Sequence, residues 1–91
     1  MPILEWSAKA LGDLLAILDH ISDDNPDAAQ TLKDEILLKA TGLTEHPKLY
    51  RQGRVPGTRE MVVRPNYLVI YRETARTVTI LRVLHASQMW P

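Results

Sequence analysis

Between Ser7 and Glu45 apolar residues recur at intervals of three and four. Beyond Arg59 they alternate with polar ones or gather in short blocks. The first pattern belongs to helices with one buried stripe, the second to strands. In "SAKALGDLLAILDHISDDN" the residues Leu11, Leu14, Leu15, Leu18 and Ile21 form a stripe, and Lys9, Asp13 and His20 are assigned to the opposite, solvated side. Ser7 is a good N-cap for this helix, and Gly12 weakens it slightly. "DDNPDAA" is a stop and a restart: Asn25 can cap, Pro26 suits the first helical position, and Asp27 favours the positive helix end. The second helix is expected from Pro26 to about Glu45, burying Ala29, Leu32, Ile36, Ala40 and Leu43. Two helices joined so briefly form an antiparallel hairpin.

"PILEW" precedes the hairpin and reads as a short strand. "EHPKLYRQGRVPGTRE" follows it as a connector, with turn chemistry at Gly53, Pro56 and Gly57. Three further strands are expected in "REMVV", "YLVIYRE" and "TVTILRVLH", joined by "RPN" and "TAR". Joints this short imply antiparallel neighbours. The predicted class is α+β: an N-terminal strand, a two-helix antiparallel hairpin, then a three-stranded antiparallel meander. In the last strand strict alternation puts Val78, Ile80, Arg82 and Leu84 on one face and Thr77, Thr79, Leu81, Val83 and His85 on the other. The helices can cover one of these faces. The other is expected to stay exposed and apolar unless something docks there.

Length bounds the rest. Ninety-one residues are read as one domain, 1–91, with a modest core. The absence of cysteine excludes disulfides and thiolate chemistry. Three separated histidines do not have metal-ligand spacing, so neither metal nor cofactor is expected. No stretch approaches the roughly 18 apolar residues that span a bilayer, and "MPILEW" lacks the pattern of a secretory signal. A cytoplasmic protein without membrane contact is the expectation. Net charge is zero, yet residues 1–50 carry four lysines against nine acids, and residues 51–91 carry seven arginines against two acids. The neutral sum thus hides a dipolar chain whose arginine-rich half suits an anionic partner.

Several residues could carry chemistry. Arg82 lies inside the last strand, where it must reach water along its stem or pair with an acid. Arg64 is placed near a turn, facing solvent. Arg59, Arg64, Arg72 and Arg82 would form a patch if the strand registers agree. His85 titrates near neutral pH and could transfer protons, or it could simply end a packed strand. Tyr67 and Tyr71 share a face as packing residues, stacking platforms or hydroxyl donors. Trp90 can pin the tail to the body or form part of a partner's pocket. There is no phosphate-cradling glycine loop, no carboxylate pair in a plausible cleft and no serine-nucleophile motif. An enzyme with this equipment would use basic and imidazole groups alone, which fits RNA cleavage through the 2′-hydroxyl.

The stretches "ALGDLLAILDHISDDNPDAA", "HPKLYRQGRVPGTREMVV", "YLVIYRE" and "VTILRVLHASQMW" resemble, in that order and over almost the whole chain, toxins of the RelE/ParE superfamily from bacterial type II toxin–antitoxin modules. The resemblance implies a cognate antitoxin whose C-terminal segment wraps the toxin and whose other part binds the operon's DNA, so that operator contact is indirect. It implies one of two activities. RelE-like members cleave messenger RNA, often on the ribosome, and the nuclease set would here be Arg64, Arg82 and His85. ParE-like members poison DNA gyrase. Tyr67 stands where nuclease members commonly have arginine, and no lysine follows Lys48, so the gyrase branch is favoured. A third possibility is a non-toxic co-repressor that binds the antitoxin. The partner is expected to present an acidic, amphipathic segment, with Arg54, Arg59, Arg64, Tyr67 and Trp90 as contact candidates for antitoxin or target.

Overall fold

The computed structural model describes residues 2–88 and Trp90. Its elements in chain order are β1 (Ile3–Trp6), α1 (Ala8–Asp24), α2 (Pro26–Gly42), β2 (Arg51–Gln52), β3 (Arg59–Arg64), β4 (Tyr67–Glu73) and β5 (Thr77–His85). The expected α+β order is present. The capping chemistry works as the residue types require. Ser7 Oγ accepts from the Ala10 N–H at 3.0 Å, and Asn25 Oδ1 accepts from the Ala28 N–H at 3.0 Å. The Asn25 N–H also donates to the Ile21 carbonyl at 2.8 Å, so one residue closes α1 and opens α2. Helix α2 stops at Gly42, three residues short of the expected Glu45. Leu43, Thr44 and Glu45 continue as turns with bonds back three residues, the usual tightening of a helix end.

The strands form one five-stranded mixed sheet in the order β1-β5-β4-β3-β2. The meander β3-β4-β5 is antiparallel, and β1 lies parallel to β5 with Trp6 opposite Ile80. Strand β2 was hidden in the connector because two residues cannot show alternation; it pairs antiparallel with the start of β3. The hairpin covers one face. Ala10 and Leu14 of α1 and Leu32, Ile36 and Ala40 of α2 pack on Met61, Val63, Val69, Tyr71, Val78, Ile80 and Val83. Full burial of a side chain such as Leu32 or Ile36 contributes about 2–3 kcal/mol. Leu11 and Leu15, expected in the buried stripe, are instead exposed. The stripe that meets the sheet runs through Ala10, Leu14, Ile17 and Ile21.

Strict alternation in β5 also fails, and for a definite reason. The register of β4 on β5 shifts between Ile70 and Tyr71: Tyr71 faces Ile80, but Ile70 faces Arg82. Leu81 is the extra residue of a β-bulge, which moves all later side chains by one position. Val83 therefore joins Val78 and Ile80 in the core. Ser7 holds the bulge from outside, since its hydroxyl donates to the Leu81 carbonyl at 3.0 Å and its N–H to the Ile80 carbonyl at 2.9 Å.

Candidate functional site

Strand β1 ends at Trp6, so beyond Ile80 the outer edge of β5 passes to α1. Asp13 meets it there. Its Oδ2 accepts from the Val83 N–H at 3.0 Å and from Arg82 Nε at 2.7 Å, and its Oδ1 accepts from Arg82 Nη2 at 3.1 Å. The pair is a two-pronged fork, with the side chains only 18% and 14% exposed. It holds the Arg82 guanidinium in the charged form, raising its pKa, chiefly through the hydrogen bonds to Asp13. Asp13 is therefore not on the solvated side of α1, as its charge suggested. Of the two readings open for Arg82, the geometry realises the ion pair.

Arg64 is likewise engaged. Its Nε and Nη2 both donate to Glu35 Oε2, at 3.2 and 3.0 Å. These bonds hold the Glu35 carboxyl below its ordinary value of 4.5. Arg64 is thus not a free solvent-facing group. Arg59 sits 3.6 Å from Glu73 and donates through Nη1 to the Tyr50 carbonyl at 2.7 Å, which ties the connector to the sheet. Tyr71 does the same from the core: its hydroxyl donates to the Pro47 carbonyl at 2.7 Å, and burial pushes its pKa up to about 12.

The bulge brings His85 beside Tyr67, directly across the ladder, with ring centroids 5.4 Å apart in an edge-to-face arrangement. The two rings line a cavity of about 220 Å³ with Ala16, Ile17 and His20 of α1. His85 Nδ1 lies 2.8 Å from Ser87 Oγ and accepts from the Ser87 N–H at 3.2 Å. An Nδ1 that accepts from a main-chain N–H leaves the proton of the neutral ring on Nε2. Neither Arg64 nor Arg82 lines the cavities that His85 borders.

On the opposite sheet face, Glu60 is 6% exposed and accepts from Arg51 Nε at 3.1 Å and from the Arg54 N–H at 3.3 Å. Together with Arg51, Arg54, Leu68, Leu84 and Trp90 it lines a cavity of about 80 Å³. This face was expected to be exposed and apolar. Instead Ile70 and Leu84 are buried, and Trp90 of the tail comes over this side with its indole N–H buried and unpartnered among the described residues. A long contact of 3.5 Å runs from Arg54 Nη1 to the Trp90 carbonyl. Arg54 and Arg72 are exposed and form no ion pair among the described residues.

The five contact candidates are thus scattered. Tyr67 meets His85, Arg54 meets Trp90, and Arg59 and Arg64 end on separate carboxylates. Sequence reasoning missed the acids that matter: Asp13, Glu35 and Glu60. A signal existed for Asp13, which stands three residues after Ala10 and four before Ile17, on the stripe that packs. Among the described residues no cluster of three or more histidine or acidic side chains could hold a metal ion. Among the described residues no helix is long and apolar enough to cross a membrane.

Comparison with known proteins agrees with this fold. The chain is 39% identical over 89 residues to Y4kP of Sinorhizobium fredii, a protein named as a toxin, covering 97% of this chain and 92% of the relative. It is 36% identical over 86 residues to toxin RelE2 of Caulobacter vibrioides, covering 92% and 94%. A solved chain of the chromosomal ParDE toxin–antitoxin system from P. aeruginosa superposes with a TM-score of 0.84 at 26% identity, covering 96% and 98%. The family described as ParE toxin of type II toxin–antitoxin system, parDE, matches residues 4–90, and the chain belongs to that family as the toxin of a module with a cognate antitoxin.

Proposed function

We propose that this toxin acts without catalysis, as a poison of DNA gyrase in the bacterial cytoplasm, and that its antitoxin neutralises it through an acidic, amphipathic segment. One observation carries the first part: the residues that would form a nuclease set are each committed elsewhere. Arg82 is forked by Asp13, Arg64 is held by Glu35, and His85 Nδ1 is engaged by Ser87, away from both arginines. RNA cleavage needs free cationic groups on the phosphate and a proton acceptor at the 2′-hydroxyl, in one place. The likeness to a chain of a ParDE system supports the same reading. The acidic segment of the antitoxin is expected at exposed arginines that form no ion pair among the described residues, Arg54 and Arg72 among them, and contact with operator DNA runs through the antitoxin.

The test is direct. Purified toxin added to gyrase should inhibit supercoiling and accumulate cleaved DNA complexes, while messenger RNA stays intact with and without ribosomes. His85→Ala should retain toxicity in cells. Normal supercoiling at saturating toxin together with RNA cleavage lost in His85→Ala would replace this reading with the ribonuclease one. Growth unaffected by unpartnered toxin would leave the co-repressor role.

A further inference from the structure

Residues 51–91 hold seven arginines and two acids. Four of the arginines are paired: Arg51 with Glu60, Arg59 with Glu73, Arg64 with Glu35 and Arg82 with Asp13. Arg54, Arg72 and Arg76 are exposed and form no ion pair among the described residues. Register gathers these three at one end of the sheet. Arg72 lies across from Thr79 of β5 and one step beyond the Tyr71–Arg59 pair, so Thr58 flanks it on the other side. The Gly53 N–H donates to the Thr58 carbonyl at 2.8 Å, which sets Arg54 beside the same row. Arg76 stands in the turn between β4 and β5, just past that row. Arg72 points away from the hairpin, because its neighbour Tyr71 points into the core. Unpaired acids gather at the opposite end. Helix α1 starts beside Ile80, passes Val83 at Asp13 and reaches His85 at His20. The joint with the exposed Asp23, Asp24 and Asp27 therefore lies beyond the far end of β5. The dipolar chain thus folds into a dipolar molecule.

We propose that this arginine end binds the phosphate backbone of duplex DNA directly, so that the toxin on gyrase holds the DNA as well as the enzyme. The inference rests on the gyrase reading for the place where the DNA is met, and not for the contact itself. The acids of this half do not neutralise the three arginines, since Glu60 and Glu73 are paired elsewhere. Glu5 of β1, the exposed acid on the same row, lies opposite Thr79 and so two strands from Arg72, roughly 10 Å at ordinary strand spacing. Thr79 adds a hydroxyl beside Arg72, and hydroxyls and guanidiniums are the groups that hold phosphate oxygens. The aromatic side chains decide for a duplex. The two tryptophans and three tyrosines are all buried or half-buried. Single strands are gripped by stacking their bases on exposed rings, whereas a duplex turns its bases inward and offers its phosphates. Phosphate contacts carry no sequence information, so the binding is indifferent to sequence. DNA repels the acidic joint, which leaves one orientation for the encounter. The acidic segment expected at Arg54 and Arg72 then competes with DNA for the same cations.

The probe is a short fluorescent DNA duplex of mixed sequence, titrated with free toxin at several salt concentrations. The association constant should fall with salt along a log–log slope of about −3, from ~0.9 for each phosphate neutralised. Each of Arg54→Gln, Arg72→Gln and Arg76→Gln should flatten that slope by about one. The triple variant should bind the duplex at least about tenfold more weakly at low salt, with an unchanged urea midpoint. On immobilised gyrase without DNA it should bind as the wild type does, yet it should need severalfold more toxin to accumulate cleaved DNA complexes. Wild-type toxin that leaves the duplex free at low salt, or a triple variant with the wild-type slope, would overturn the proposal. Tighter binding to an unstructured RNA strand than to the duplex would overturn it in favour of RNA. Cleaved complexes accumulated by the triple variant at wild-type doses would overturn the part of the contact in poisoning. Duplex binding with the expected slope, beside a gyrase that neither binds the toxin nor slows, would overturn the gyrase reading and leave the DNA contact standing.

Discussion

Two regions of the sheet treat arginine differently. Where the sheet meets the hairpin and the connector, Arg82 at the β5 edge and Arg64 at the end of β3 finish on helix carboxylates, Asp13 and Glu35, and Arg59 is tied to Glu73 and to connector carbonyls. On the other side the buried charge is an acid, Glu60, paired with the largely exposed Arg51, while the Arg54 side chain stays exposed. The hairpin contacts thus use cations to fasten elements together, because a guanidinium stays charged near a core and needs a partner to offset its lost hydration. The opposite side keeps Arg54 and Arg72 in water, where they attract a partner but contribute little to folding. The acid-rich first half and the arginine-rich second half are therefore partly consumed by each other. Among the charges left over are the acidic hairpin joint, Asp23, Asp24 and Asp27, and the exposed Arg54, Arg72 and Arg76.

The largest expected break in this contrast is Asp13→Ala. It removes both prongs on Arg82 and the acceptor of the Val83 N–H, and leaves a partly buried cation unpaired. We expect a loss of about 2–4 kcal/mol. A urea titration measures it as a lower midpoint. Asp13→Asn, which can still accept from the Val83 N–H, should lose less. A midpoint unchanged in Asp13→Ala would mean that the fork does not fasten α1 to β5.

On the opposite face the most sensitive backbone position is Gly53. A Cβ there would run into Thr58 Oγ1 and press on Glu60 Cγ at 3.3 Å. Thr58 cannot yield easily, since it is buried and its hydroxyl donates to the Val55 carbonyl at 2.6 Å. Gly53→Ala should cost about 1–3 kcal/mol through overpacking. Gly57→Ala, at φ +84° with open space around it, should cost about 1 kcal/mol from backbone strain alone. Equal midpoints for Gly53→Ala and wild type would show that this loop shifts freely and does not position Glu60.

These features differ in how far the sequence could reveal them. Ser7, Asn25 and Pro26 act within three residues of their own positions, so the hairpin was legible from local chemistry. The meander was legible because its joints are short. The ion pairs were not, because Arg82 and Asp13 are 69 residues apart and Arg64 and Glu35 are 29 apart. Pairing at that range depends on register. Here the register contains a bulge at Leu81 that no residue type announces. The same bulge undid the expected faces of β5 and brought His85 towards α1. On α1 the expected stripe of Leu11, Leu14, Leu15, Leu18 and Ile21 overlaps the one that packs, which takes in Ala10 and Ile17 and leaves Leu11 and Leu15 outside.

Charge reversal on the free cations probes the opposite side without touching the fold. Arg54→Glu with Arg72→Glu should change the urea midpoint by no more than about 0.5 kcal/mol equivalent. It should lower the association rate with the antitoxin severalfold at low salt and reduce the salt dependence of that rate. Dissociation should change less, since buried apolar contacts remain. Arg59→Glu would test the opposite case, because it breaks an internal tie and should show mainly as lost stability. Identical association rates and salt slopes for the double variant and wild type would mean that these arginines do not steer the encounter.

The smallest expected effect lies in the Arg64–Glu35 pair. Both groups are about one-third exposed, and the two donors converge on one oxygen instead of forming a fork. Such a pair is screened by water and salt. Its sign is nonetheless fixed. Arg64, with help from Lys39, holds the folded-state pKa of Glu35 below its ordinary 4.5. The charged form is thus favoured in the folded chain, so the contribution is fully present above the unfolded value. It is lost as pH falls through the folded one. Glu35→Gln removes the titration. The difference in urea midpoint between wild type and Glu35→Gln should be small and constant near neutrality. Below about pH 4.5 it should shrink towards zero, and it should do so from a lower starting point in high salt. A difference that stays flat from neutrality to acid would mean that Glu35 is held in the folded chain as it is in water, and that Arg64 is as free as Arg72.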